Sequence, residues 1–156
     1  MEYIFRKPTE KDIKYFDQNA RQSDKDEVFL FSGRTIGEVL SETPGVDKDA
    51  DVWIVNDKPV AIFGVTTWEK GNSVIWMLAT EDFDKYAKMF RVKCKEVFGK
   101  MIEGHDYLYN YVHAKHRKAI KWLQWLGAEI LEPEPIGLNG ELFCKFEIKN
   151  KLCAIQ

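Results

Sequence analysis

A chain of 156 residues has the size of one ordinary domain, and its 45% hydrophobic and 13% aromatic content supplies a core large enough to exclude disorder over most of its length. The formal charge of −2 excludes an overall field that would draw nucleic acid or an anionic membrane. Three cysteines, Cys94, Cys144 and Cys153, are an odd number without C-x-x-C spacing, which argues against a disulfide framework or a cysteine zinc site and for a reducing compartment.

EYIFRK, residues 2–7, alternates apolar and polar residues and stops at Pro8, as a strand does. Thr9 then caps a helix whose first turn carries Asp12 and whose buried side holds Ile13 and Phe16. NARQSDKDE reads as a charged surface connection, RTIGEVLSE as a second, short helix, and TPGVDKDAD as a loop. Three strand-like runs follow, VWIVN, VAIFGVTTW and SVIWMLAT, separated by turns at Asp57–Lys58 and at Lys70–Asn72, which predicts an antiparallel meander. From Asp82 to about Met101 the apolar period becomes helical, with Phe83, Tyr86, Phe90, Cys94, Val97, Phe98 and Met101 on one face. Gly104 releases the chain into the strand YLYNYV, so that strand, long helix and strand form a crossover between parallel neighbours. A helix over Lys115–Leu126 ends at Gly127, and ELFCKFEI is the last strand of a single domain spanning 1–149, followed by a tail, 150–156. The N-terminus lacks the apolar core of a signal peptide and no apolar run approaches the roughly 18 residues of a membrane span, which predicts a soluble, unexported protein.

The order β-α-α-β-β-β-α-β-α-β-β resembles the GNAT fold of acyl-CoA N-acyltransferases: an α/β single domain with a central mixed, mostly antiparallel sheet and helices on both faces. FRKPTEKDI is similar to the first strand and helix of many GNAT proteins, and AIKWLQWLGAEI to their fourth helix and its exit. More specifically, Asn110–Phe146, with Trp122, Trp125, Leu126, Gly127, Pro133, Pro135, Gly137, Gly140 and Phe143, resembles GNAT-like proteins of tailed bacteriophages, the group that includes the internal virion protein A of T7-type phages.

The resemblance implies an acetyl-CoA or other acyl-CoA site, with a glycine-rich turn after the fourth strand whose backbone N–H groups face a pyrophosphate. Here that position reads LATEDFDKYAKMF, without glycine and with Glu81, Asp82 and Asp84 where the anion would sit. The family's frequent tyrosine acid falls at Leu123 and its frequent asparagine at His116; the phage pattern's aspartate falls at His113. These departures suggest a degenerate site in a phage-encoded protein that acts through contacts with a virion or host protein, in the host cytoplasm or packaged in the virion. The alternative is an active N-acyltransferase modifying an amine on a protein or small molecule, with Leu78, Ala79 and Thr80 offering backbone hydrogen bonds to the pantetheine arm and His116 a further one.

Glu69 and Glu81 follow strand ends where a general base could sit, against a background of 25 Asp and Glu residues. Lys115 and Arg117 open a helix as an ordinary solvated turn or as a phosphate contact, and nucleic acid is not expected as a partner. Trp122 and Trp125 divide between core and rim, the rim residue being a candidate partner surface together with Lys115 and Arg117. His113 and His116 have a spacing that can hold zinc, but no further ligand is near in sequence and no metal is expected.

Overall fold

A computed structural model describes residues 2–69 and 72–149; the side chains of Asn72 and Cys94 lie outside what it describes, as do the turn at Lys70 and Gly71 and the 150–156 tail. Seven strands form one sheet: β1 (Tyr3–Arg6), β2 (Ala50–Val55), β3 (Lys58–Glu69), β4 (Asn72–Ala79), β5 (Tyr107–His113), β6 (Glu129–Glu134) and β7 (Phe143–Lys149). Their order is β1-β2-β3-β4-β5-β7-β6, and every neighbouring pair is antiparallel except β4 and β5. Among the described residues, six α-helices surround it: α1 (Glu10–Asn19), α2 (Gln22–Ser32), α3 (Ile36–Glu42), α4 (Val46–Asp49), α5 (Ala87–Glu103) and α6 (Arg117–Trp125). The mixed, mostly antiparallel α/β architecture is the expected one.

From Val52 to Val55, β2 is an unbroken apolar run because both faces of the sheet are covered there. Trp53 and Val55 join the layer of Phe90, Phe98 and Leu123 under α5 and α6, while Val52 and Ile54 join Phe16, Ile36 and Leu40 under α1 and α3. Rings at 5.0–6.4 Å tie Trp53 to Phe5, Phe83, Tyr86 and Phe90, an arrangement that adds to simple area burial. The β2–β3 turn falls on Asn56 and Asp57, one residue before the expected place, since both take positive φ (48° and 67°) and asparagine and aspartate tolerate that conformation well.

Three local expectations are corrected. NARQSDKDE is not a surface connection: most of it belongs to α2, closed by Gly33 at φ 74°. Its inward side opens with Asp24 and Glu27 ahead of Val28 and Phe31, so its first turns carry no apolar period for a hydrophobicity reading. TPGVDKDAD contains the single turn of α4, entered through Gly45 at φ 70°. The long amphipathic helix begins as a 3₁₀ turn over Glu81–Tyr86, and α5 starts only at Ala87.

Glycine at 64 answers a contact. A Cβ there would lie 2.8 Å from the Asp49 carbonyl oxygen and 3.0 Å from Ala50 Cα, both backbone atoms that cannot swing aside. Gly64→Ala should therefore cost about 1–3 kcal/mol of stability, read as a lower urea midpoint at unchanged slope, and an unchanged midpoint would show that the start of β2 yields freely.

Asp12 fastens β1 to α1. Its carboxylate accepts from Arg6 at 2.5 and 3.0 Å, from the Thr9 backbone N–H at 2.8 Å and from the Thr9 hydroxyl at 3.0 Å, completing a capping box. Burial pushes this carboxyl up, but the bonds from Arg6 and Thr9 outweigh it and hold it below the ordinary carboxylate range. A depressed folded pKa stabilises the protein above the ordinary carboxyl pKa, and that contribution is lost as pH falls through the folded value. Asp12→Asn should cost about 1–2 kcal/mol at pH 7 and flatten the loss of stability between pH ~5 and ~2, read from denaturation curves across that range.

Candidate functional site

Strands β4 and β5 meet at one register point, Val74 opposite Tyr109, and then separate. A parting of two buried strands leaves backbone N–H and C=O groups that water cannot reach freely, and each needs a partner. Asn110 Nδ2 donates to the Ile75 carbonyl at 2.8 Å, and Asn110 Oδ1 accepts from Tyr111 N–H at 2.8 Å. Four residues further along β4, the Asp24 carboxylate accepts from Ala79 N–H at 2.8 Å, and the Ala79 carbonyl accepts from Arg21 N–H at 2.8 Å. Met77 lies midway between Ile75 and Ala79, so alternation turns its backbone N–H and C=O to this same edge, into the wedge.

A cavity of about 890 Å³ occupies the wedge and is lined from both layers: Val28, Phe31 and Leu40 on the α2–α3 side, Phe90, Phe98 and Trp122 on the α5–α6 side. Trp68, Trp76, Tyr109 and Tyr111 add aromatic wall, and Thr66 receives the Trp76 indole N–H at 3.0 Å. A space reached from both faces at a strand parting lets two molecules approach one point from opposite sides.

The charged residues of the lining are mostly paired. Arg21 grips Asp24 with Nε and Nη2, both at 3.1 Å, and lies 5.2 Å over the Phe83 ring. Burial pushes the Asp24 carboxyl up, and Arg21 with the Ala79 N–H pulls it back only in part. One helical turn on, Glu27 meets His116 Nδ1 at 2.7 Å; that hydrogen bond raises the imidazole pKa above its ordinary value, against the effect of burial. Thus α2 touches β4 through Asp24 and the start of α6 through Glu27.

The residues proposed from sequence fall as follows. Leu78 lines the cavity, but its backbone faces β3 opposite Ile62, and Thr80 N–H is bonded to the Val60 carbonyl at 2.9 Å. With Ala79 engaged by α2, the position turned toward the wedge is Met77, one residue before the expected trio. Glu81 lines the cavity and accepts from Gln22 N–H at 3.2 Å, whereas Glu69 is exposed at the end of β3 and outside the lining. His116 lines the cavity; Lys115 and Arg117 beside it are exposed. Trp122 packs between Phe98 at 5.5 Å and Phe90 at 6.3 Å, while Trp125 is 42% exposed with Lys95 Nζ 4.5 Å from its ring. The two tryptophans therefore divide between core and rim. His113 bonds Glu141 at 2.8 Å rather than sharing a centre with His116, and no cluster of three metal-ligating residues occurs among the described residues.

Arg21, Asp24, Glu27, Met77 and Asn110 were not singled out from the sequence. The signal for the first three was their spacing of three, continued by Val28 and Phe31 on the same side of a helix. For Asn110 it was a lone carboxamide within an aromatic strand.

No protein-family model matches the sequence, and no curated protein does. Solved structures do match over nearly the whole chain. Ard1 from Thermoplasma volcanium superposes with a TM-score of 0.73 at 14% identity, covering 96% of this chain and 98% of that one. An acetyltransferase of the GNAT family from Streptococcus pneumoniae gives 0.62 at 12%, covering 96% and 100%. The Salmonella typhimurium protein yncA, solved with its cofactor acetyl-CoA, gives 0.67 at 10%, covering 94% and 93%. Identities this low speak to architecture alone, and the architecture of this chain is that of the GNAT acetyltransferases.

Proposed function

We propose that the chain is an acyl-CoA-dependent N-acyltransferase that joins its two substrates in the β4–β5 wedge. The observation that carries this reading is the cavity lined from both layers, with the Met77 backbone edge turned into it. The residues present fit an acyl-CoA in three respects. Met77 N–H and C=O can pair with the amide of an extended pantetheine arm as one strand pairs with another. The apolar walls from Phe90, Phe98 and Trp122 suit its aliphatic parts. Arg91 on α5 and Lys118 on α6 bring cationic residues to the lining, a side-chain means of holding phosphates where the 3₁₀ turn of Glu81–Tyr86 supplies no glycine cradle. Bound there, an acyl-CoA supplies an activated acyl group as a thioester. The chain excludes water around it, orients it along β4 and admits an amine from the α2–α3 side, where Val28, Phe31 and Leu40 stand beside the carboxylates of Asp24 and Glu27.

Acetyl-CoA at 100 times its dissociation constant should stabilise the protein by about 2.7 kcal/mol, read as a raised melting temperature. Ala119→Trp, which fills the lining on α6, should abolish that gain. No gain at millimolar acetyl-CoA would overturn the proposal.

A second reading rests on a different observation: the Ala79 N–H and C=O are already bonded to Asp24 and Arg21, and the turn that follows is acidic. In this reading the site is degenerate and the chain, phage-encoded as its C-terminal half suggests, acts through contacts with a virion or host protein. It expects no stabilisation by acetyl-CoA, and it expects Trp125→Ala to remain folded yet lose a co-purifying partner from phage-infected cells. Trp125→Ala that keeps the same partner would count against that surface.

A further inference from the structure

We propose that His116 and Glu27 form a proton-shuttling dyad serving the wedge, with His116 the catalytic residue and Glu27 its positioning residue; this rests on the acyltransfer reading above. Three observations carry it. Both residues line the cavity, and both side chains are about three-quarters buried, at 26% and 24% exposure. Glu27 Oε2 lies 2.7 Å from His116 Nδ1, so the carboxylate selects the tautomer with its proton on Nδ1 and leaves the Nε2 lone pair as the base. Nε2 has no other partner among the described residues. Where the resemblance drawn from the sequence would put a thiol-side acid, Leu123 has no proton to give.

The chemistry balances through one atom. His116 Nε2 takes a proton from the acceptor amine as the N–C bond forms, and returns it to sulfur as the C–S bond breaks, so amide and thiol are made with no net proton gained or lost. The groups facing the imidazole are Glu27, Asp24 and Arg21; the two carboxylates favour the imidazolium, Glu27 most strongly, and Arg21 opposes it. A base whose conjugate acid is stabilised in this way works above its raised pKa, so turnover should climb with pH across a window displaced upward from 6.5.

Acceptor identity need not be known for the test, because a simple primary amine with an apolar tail suits a lining in which Val28, Phe31 and Leu40 stand beside carboxylates. With acetyl-CoA and 2-phenylethylamine as probes, thiol release is followed against pH for wild type, His116→Gln and Glu27→Gln, and acetyl-CoA binding is measured separately by calorimetry. His116→Gln, whose amide keeps a hydrogen-bond donor for the cofactor, should still bind acetyl-CoA while it loses roughly 10²-fold in release and loses the rising limb of the profile. Glu27→Gln should keep the limb but move it to lower pH. Independently of turnover, proton NMR of the unliganded protein should show a histidine signal titrating above 6.5 that is missing in His116→Gln and moved down in Glu27→Gln. Unchanged release in His116→Gln, or binding with no thiol release above the spontaneous rate, overturns the dyad alone. Absence of acetyl-CoA binding overturns the acyltransfer reading beneath it.

Discussion

The parting of β4 from β5 governs the rest of this molecule. Two parallel strands that pair at Val74 and Tyr109 would gain by continuing to pair, since every backbone group buried without a partner costs on the order of 1–3 kcal/mol. The chain prevents it by giving the freed groups other partners. Asn110 takes the Ile75 carbonyl, and α2 takes both polar groups of Ala79, one with the Asp24 carboxylate and one with the Arg21 backbone N–H. The opening is thereby built into the fold, and the cavity follows from it.

Helix α2 is the strut of that opening. Its Asp24 reaches β4 and its Glu27 reaches His116, so one helical turn spans the two sides of the wedge. Such a strut is costly, because Asp24 is 6% exposed and its raised pKa records an ionised form that burial disfavours more than Arg21 and Ala79 favour it. A well-packed apolar helix would hold the layer as firmly. It could not satisfy the Ala79 N–H, and the edge would then be free to close against β5 or to strand a donor in the core.

Much of the fold was legible because its elements follow the ordinary rules of burial. The apolar runs of β2 and β3, the aromatic period from Phe83 to Phe98, the Thr9 cap and the glycine after α6 each state one local preference that the tertiary structure keeps. Legibility failed where side chains serve backbone groups instead of packing. The first turns of helix α2 show no apolar stripe because Asp24 and Glu27 occupy their inner side, and a hydrophobicity reading assigns such a segment to solvent. Asn110 is one polar letter in YLYNYV, with nothing nearby to say that its carboxamide replaces a missing strand neighbour. The place of Met77 depends on register, which sequence does not state. Resemblance to a fold could supply the wedge but not the residue on which its open edge falls.

The same strut also sets how a ligand could be held. With Asp24 seated on Ala79, the exposed edge of β4 offers one residue's pair of backbone groups, and a hydrogen-bonded chain laid along it gains a net of about 1–3 kcal/mol from two bonds. The cavity walls offer more: burying roughly 200 Å² of apolar ligand surface against Phe90, Phe98, Trp122 and their neighbours is worth about 5 kcal/mol before ordering costs. The acidic 3₁₀ turn works against an anion at its own end, and Arg91 on α5 and Lys118 on α6 bring cationic residues to the same opening. Affinity at this wedge is therefore set by apolar burial and by side-chain charge, with the strand edge fixing direction. That division makes the register of Asp24 on β4, one hydrogen bond at the end of a buried helix turn, the feature that decides where a reacting group would come to rest.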